Sequence, residues 1–199
     1  MIELDVHESL NGEFIVIHDS HVGRISTHRH VVCRTNSDVL TSIELQGGHR
    51  LLTLRQAFDA IPEGVGVMVE VKATRSVQRL ADLIQRQAER REVLGTSFDL
   101  SLLQKLQEAG PSLSLGVVSK MADKLPKARR MGLQFKDVCL DFQSLTGSQV
   151  SNLKRDFGRV FAWTVDRSRD IQKMIDFEVD GIISNRPDEV ARILSERCI

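Results

Sequence analysis

Residues 65–97 read VGVMVEVKATRSVQRLADLIQRQAERREVLGTS, and this stretch decides the fold. A short apolar run, Val65 to Val71, is followed by an amphipathic stretch, Ser76 to Arg91, and then by a second apolar run, Val93 to Ser97. The apolar runs have the length and composition of strands, and the stretch between them that of a helix. Working outward, the same alternation predicts strands at Ser114 to Val118, Asp137 to Leu140, Val160 to Val165 and Gly181 to Ser184. The helices predicted between and after them cover Leu100 to Ala109, Asp123 to Met131, Ser148 to Phe157, Arg169 to Phe177, and Pro187 to the end. Upstream, Met1-Ile2-Glu3-Leu4-Asp5-Val6 reads as a strand from its first residue. Strands alternating with helices predict an α/β fold with a parallel sheet, either doubly wound or a (β/α)₈ barrel. The count is seven strands, one short of eight.

Between the opening strand and Val65 the pattern changes. Residues 14–61 carry a short predicted strand (Phe14 to Ile17), a polar segment with five of the six histidines and a short helix at Leu54 to Ala60, and read as an insertion. With no linker-like or low-complexity tract, residues 1–199 read as a single domain, with a strand-first start that places the beginning of the element order upstream of Met1.

Composition excludes several classes. The 199 residues hold 27 Lys+Arg against 27 Asp+Glu, so there is no global electrostatic case for nucleic acid or an anionic membrane. No apolar run approaches the ~20 residues of a bilayer span. The three cysteines, Cys33, Cys139 and Cys198, are odd in number and unpaired in spacing, which predicts reduced thiols and a cytoplasmic protein.

Charged residues inside apolar strands carry the chemistry, because a buried carboxylate needs a cation, a metal or a solvated mouth. The two-residue period of a strand puts Glu3 and Asp5 on one face of the opening strand, opposite Ile2, Leu4 and Val6. The same period puts Glu70 and Lys72 on one face of the strand around Val69 and Val71. Three carboxylates and a lysine converging at strand ends suit a hard cation, Mg²⁺ or Ca²⁺, with Lys72 as a point charge for a substrate phosphate. Spacing alone equally allows Glu3 and Asp5 to face solvent on an edge strand while Glu70 and Lys72 form an ordinary ion pair. No Cys or His spacing suits zinc. His18, at the end of the Phe14 strand and next to Asp19, is placed to act as a general acid. His7, His21, His28, His30 and His49 are assigned no role.

These pieces resemble the glycerophosphodiester phosphodiesterases, metal-dependent (β/α)₈ barrels. The matching segments are Ile2-Glu3-Leu4-Asp5-Val6-His7, Asn11-Gly12-Glu13, Val16-Ile17-His18-Asp19, Leu52-Thr53-Leu54, Val69-Glu70-Val71-Lys72, Ser97-Phe98-Asp99, Phe161-Ala162-Trp163-Thr164-Val165-Asp166 and Val179 to Asp188, in this order over nearly the whole chain. The resemblance implies a TIM-type barrel in which Glu3, Asp5 and Glu70 bind the divalent cation, Mg²⁺ or Ca²⁺, and Lys72 contacts the phosphate. It makes His18 one of two acid/base histidines, and Trp163 a residue of the barrel mouth that packs on the glycerol end of the substrate. The implied activity is hydrolysis of small glycerophosphodiesters, deacylated phospholipids or lysophospholipids, in lipid metabolism.

The sequence departs from the family at its start. The family opens with a strand ending in His-Arg-Gly and a helix beginning at Glu-Asn-Thr, and both precede Met1 here. The expectation is therefore a barrel without its first strand and helix, which lacks the second histidine and exposes sheet edges through which it self-associates. The alternative function is a catalytically impaired fragment or isoform that binds metal and phosphate or regulates a full-length partner.

Overall fold

The computed structural model describes residues 1–197, so Cys198 lies outside the described residues. The chain packs as two compact units, Met1–Ser114 and Leu115–Ile199.

The first unit holds β1 (Ile2–Glu8), β2 (Phe14–Val16), α1 (Ser37–Ser42), α2 (Leu54–Ala60), β3 (Val67–Ala73), α3 (Val77–Ala88), β4 (Val93–Ser97) and α4 (Leu100–Ala109). Its strands lie in the order β2-β1-β3-β4, with β1, β3 and β4 parallel and β2 antiparallel to β1. β1 runs two residues beyond the predicted Val6, because Val6, His7 and Glu8 pair with Val16, Ile15 and Phe14 of β2. Between β1 and β3 the register sets Glu3 beside Met68 and Asp5 beside Glu70. The apolar faces of these strands, with Val6, Val69 and Val71, are buried with Leu80 and Ile84 of α3 and Leu103 and Leu106 of α4.

Caps set several boundaries. Thr53 and Gln56 form a reciprocal capping box at the start of α2, and Asp99 accepts from the backbone N–H groups of Ser101 and Leu102 to begin α4. The predicted insertion has its own small core, in which Ile15, Ile17, Val22, Val32, Leu40, Ile43 and Leu51 bury one another. This core accounts for α1, which sequence reading leaves as loop: Leu40 anchors it, while its N-terminal residue Asn36 makes no side-chain cap.

The second unit holds β5 (Ser114–Ser119, whose first residue closes the first unit), α5 (Leu125–Arg130), β6 (Asp137–Asp141), α6 (Gly147–Asp156), β7 (Val160–Trp163), α7 (Ser168–Asp176), β8 (Gly181–Ile182) and α8 (Pro187–Arg197). Its strands are parallel in the order β5-β6-β7-β8. The predicted helix from Asp123 divides into a 3₁₀ turn, Ala122–Lys124, and α5, with Pro126 in the first turn where its missing N–H costs nothing. β8 stops at Ile182, short of the predicted Ser184, because the Ser184 hydroxyl and the Asn185 backbone N–H both donate to the Asp166 carboxylate. Gly181 pairs with Phe161, whose ring occupies the space a side chain at 181 would need.

Candidate metal and phosphate site

The β1/β3 ladder builds the site. Because Asp5 and Glu70 are register partners, their side chains leave the same face of the sheet, joined there by Glu3 two residues back and Lys72 two residues on. One oxygen from each of Glu3, Asp5 and Glu70 lies within 4.8 Å of the other two, and all three residues are half-buried. Lys72 Nζ lies 2.8 Å from Asp5 Oδ1 and also donates to Glu70 Oε1. The Phe98 ring lies beside the same ammonium, 5.7 Å from ring centre to Nζ. Glu3 thus sits near the start of β1 and Asp5 at its middle, with the strand carried past them by β2.

Electrostatics singles out Glu3. Burial, reinforced by the Asp5 and Glu70 carboxylates and opposed by Lys72, pushes Glu3 up to about 8. Burial raises Glu70 as well, against its hydrogen bond from Lys72. Burial works against the Lys72 ammonium, but its bonds to Asp5 and Glu70 outweigh it and hold Lys72 above its ordinary value. Glu3 Oε1 is buried with no hydrogen-bond partner among the described residues.

The donor set fits a divalent cation. Three carboxylates offset by one ammonium leave a charge of −2 when all are ionised, and the orphaned Glu3 oxygen is an unused donor atom. Oxygens opposite each other on a cation with bonds of ~2.4 Å stand ~4.8 Å apart, so the cluster has the span of one hard ion. The spacing that left solvent-facing carboxylates open is resolved geometrically: the four side chains converge.

His18 follows β2 on a loop pinned by the Ile17 N–H donating to the Asp5 carbonyl at 2.9 Å. Its Nδ1 lies 2.8 Å from Asp19 Oδ1, and Asp19 Oδ2 accepts from Arg24 Nε at 2.6 Å. Those bonds, the one from Arg24 first, hold the Asp19 carboxyl well below the usual carboxylate range. With the Nδ1 hydrogen given to Asp19, Nε2 is left for proton transfer.

Sequence reading missed several supporting contacts. His7 shares the face of Glu3 and Asp5 and places Nε2 3.1 Å from the His18 carbonyl, while burial keeps it below its ordinary value against that bond. Glu8 at the end of β1 accepts from Thr74 Oγ1, Ser76 Oγ and the backbone N–H groups of Arg75 and Ser76. These partners lie 66 to 68 residues away, so nothing local in the sequence signals them. Trp163 stands in the second unit at the C-terminal end of β7, half-buried and paired with Asp141.

Comparison with known proteins bears on the family and the fold. The model of the Glycerophosphoryl diester phosphodiesterase family matches residues 1–189. A glycerophosphodiester phosphodiesterase of Caldanaerobacter subterraneus subsp. tengcongensis is 26% identical, over 97% of this chain and 85% of that protein. Among solved structures, an Oleispira antarctica phosphodiesterase in complex with the product sn-glycerol-3-phosphate superimposes with a TM-score of 0.85 at 18% identity, covering 97% of this chain and 84% of that one. The glycerophosphodiester phosphodiesterase of Agrobacterium tumefaciens gives 0.81 at 20% identity, over 97% and 85%. The two likenesses show the fold class, α/β of the TIM-type barrel kind, one of the two that the strand and helix alternation allows and the one that the resemblance implies. A family model that runs from the carboxylate-bearing first strand into the last helix settles the relationship: this chain belongs to the glycerophosphoryl diester phosphodiesterase family.

Proposed function

We propose that the protein is a divalent-cation-dependent phosphodiesterase that hydrolyses glycerophosphodiesters, deacylated phospholipids or lysophospholipids, to an alcohol and a glycerol phosphate. The observation that carries the reading is the convergence of Glu3, Asp5 and Glu70, with one buried oxygen unpartnered, in a chain of this family. In this reading the three carboxylates hold Mg²⁺ or Ca²⁺, which when bound screens the charge of the phosphodiester and polarises it. Lys72 turns part of its charge from the carboxylates to a phosphate oxygen. His18 Nε2 carries the proton of one half-reaction, with Nδ1 fixed by Asp19. Trp163 offers its ring to the glycerol end of the substrate.

A second reading, binding of cation and phosphate without turnover, is favoured by one observation. Lys72 already bridges Asp5 and Glu70, so the cluster is closed by an internal cation. Both readings are tested by assaying the chain on glycerophosphocholine with Mg²⁺, Ca²⁺ and chelator. The enzyme reading expects cation-dependent release of choline that falls by about 10² or more in Glu70→Gln and His18→Ala. Cation binding by calorimetry without release of alcohol from either glycerophosphocholine or glycerophosphoinositol would establish the binding reading in its place.

A further inference from the structure

The loop that follows His18 builds a second feature for which the proposed chemistry has no use. His21, Gly23, Arg24, Arg29 and Val31 line a surface cavity of about 510 Å³. Its base is fixed: His21 bridges Val31, the Val22 N–H donates to the His30 carbonyl and the Val32 N–H to the Ser20 carbonyl, with Val22 and Val32 buried below. Residues 20–36 contain three arginines, three histidines and no carboxylate, in a chain whose charges balance over its whole length. Arg24 is tied to Asp19, whereas Arg29 forms no ion pair among the described residues and stands exposed at the rim.

Two hydrogen bonds, between His18 and Asp19 and between Arg24 and Asp19, connect this rim to the His18 imidazole, which in the proposed reading would be the general acid toward the leaving alcohol. We infer that the cavity is the subsite for the alcohol half of the substrate and that it selects an anionic substituent there, a phosphate or carboxylate, through Arg29 with Arg24 and His21. The inference rests on the proposed role of His18 and extends it from the reaction to the choice of substrate. A guanidinium without a carboxylate partner is an open fork for such a group, and the apolar part of Val31 and the arginine stems accommodates the carbon skeleton.

The test uses two ligands that differ by one group, glycerophosphoinositol and glycerophosphoinositol 4-phosphate, titrated calorimetrically into the full chain with Mg²⁺. The expected preference for the phosphorylated ligand is about fivefold, the scale of one solvent-exposed charge pair. In Arg29→Glu the ratio of the two affinities falls to about one or below, whereas Arg55→Glu, the same charge change on α2, leaves it unaltered. Equal affinities in the unmodified chain, a ratio that survives Arg29→Glu, or an equal loss in Arg55→Glu would each overturn the assignment. Inorganic phosphate reports separately on the carboxylate and lysine cluster. Phosphate binding unaffected by Glu70→Gln sinks that reading, whereas phosphate binding abolished by Arg29→Glu makes the cavity a free-phosphate site and overturns the head-group assignment.

Discussion

Nζ of Lys72 lies 2.8 Å from Oδ1 of Asp5, so a residue of β3 neutralises the carboxylate on the neighbouring strand while also bonding Glu70 on its own. That ammonium is the internal counter-charge of three crowded acids. Lys72→Met is expected to lower stability in chelator by about 2 kcal/mol, because the remaining carboxylates repel without compensation. Saturating Mg²⁺ or Ca²⁺ should recover most of the loss, which urea unfolding with and without cation measures. A variant as stable as the parent in chelator would show that the bridge contributes nothing to the fold.

Glu3 gives the cation-free protein a distinctive pH dependence. Its folded value, pushed up to about 8, lies above the 4.5 of an unperturbed carboxyl, so between those values the folded state holds a proton that the unfolded state has released. The stabilisation is complete below pH 4.5 and is lost as pH rises through 8. Thermal unfolding in chelator should show this contribution falling from pH 5 to pH 8.5, and Glu3→Gln should flatten it. Added divalent cation should flatten it too, by holding the ionised form.

Glu8 acts with the opposite sign. Burial alone would raise it, but the four bonds from Ser76, Arg75 and Thr74 win and hold its carboxyl below the ordinary value. Its contribution is therefore present above pH 4.5 and lost as pH falls through the depressed folded value. Glu8→Ala strips bonds from the loop between β3 and α3 and is expected to cost about 3 kcal/mol, read from the urea midpoint at pH 7.

Trp163 is the only tryptophan, so intrinsic fluorescence is a direct probe of its surroundings. If it meets the glycerol end of the ligand, sn-glycerol 3-phosphate with Mg²⁺ should shift or quench its emission, and Glu70→Gln should abolish the response. An emission spectrum indifferent to saturating ligand removes Trp163 from the substrate contacts.

β2 pairs with Val6–Glu8 of β1, and among the described residues no strand covers Ile2–Leu4 on that side. Ile2 is 40% exposed there beside Met1 at 49%. An apolar uncovered edge favours strand addition from another copy, so the chain should sediment with a concentration-dependent mass. Ile2→Lys should reduce that mass at equal concentration; a parent that stays monomeric at all concentrations refutes the edge as a contact.

The parts legible in the sequence are those governed by short periods. Glu3, Asp5, Glu70 and Lys72 stood out because a two-residue alternation in an apolar run exposes every charge that breaks it, and their convergence then needed one further fact, the Asp5–Glu70 register. β4 and α4 match their predicted limits, and Asp99 between them caps α4. What escaped depends on distant partners. Glu8 looks like the polar end of a strand until Thr74 and Ser76 close on it, and α1 exists through a core that residues 15–51 make among themselves. His7, assigned nothing from sequence, gains a role through the His18 carbonyl, which local spacing cannot reveal.

The Asp5–Glu70 register has an implication for how such a molecule can diversify. Every charged group of the carboxylate and lysine cluster comes from two adjacent strands whose spacing is dictated by backbone pairing, whereas His21, Arg24 and Arg29 ride on a loop anchored by its own small core. The two rest on separate structural supports. On the proposed reading, exchanging residues 20–31 for another loop would retarget the alcohol and leave the carboxylate and lysine arrangement intact, which makes the β1/β3 pair a chassis and the loop its interchangeable tool.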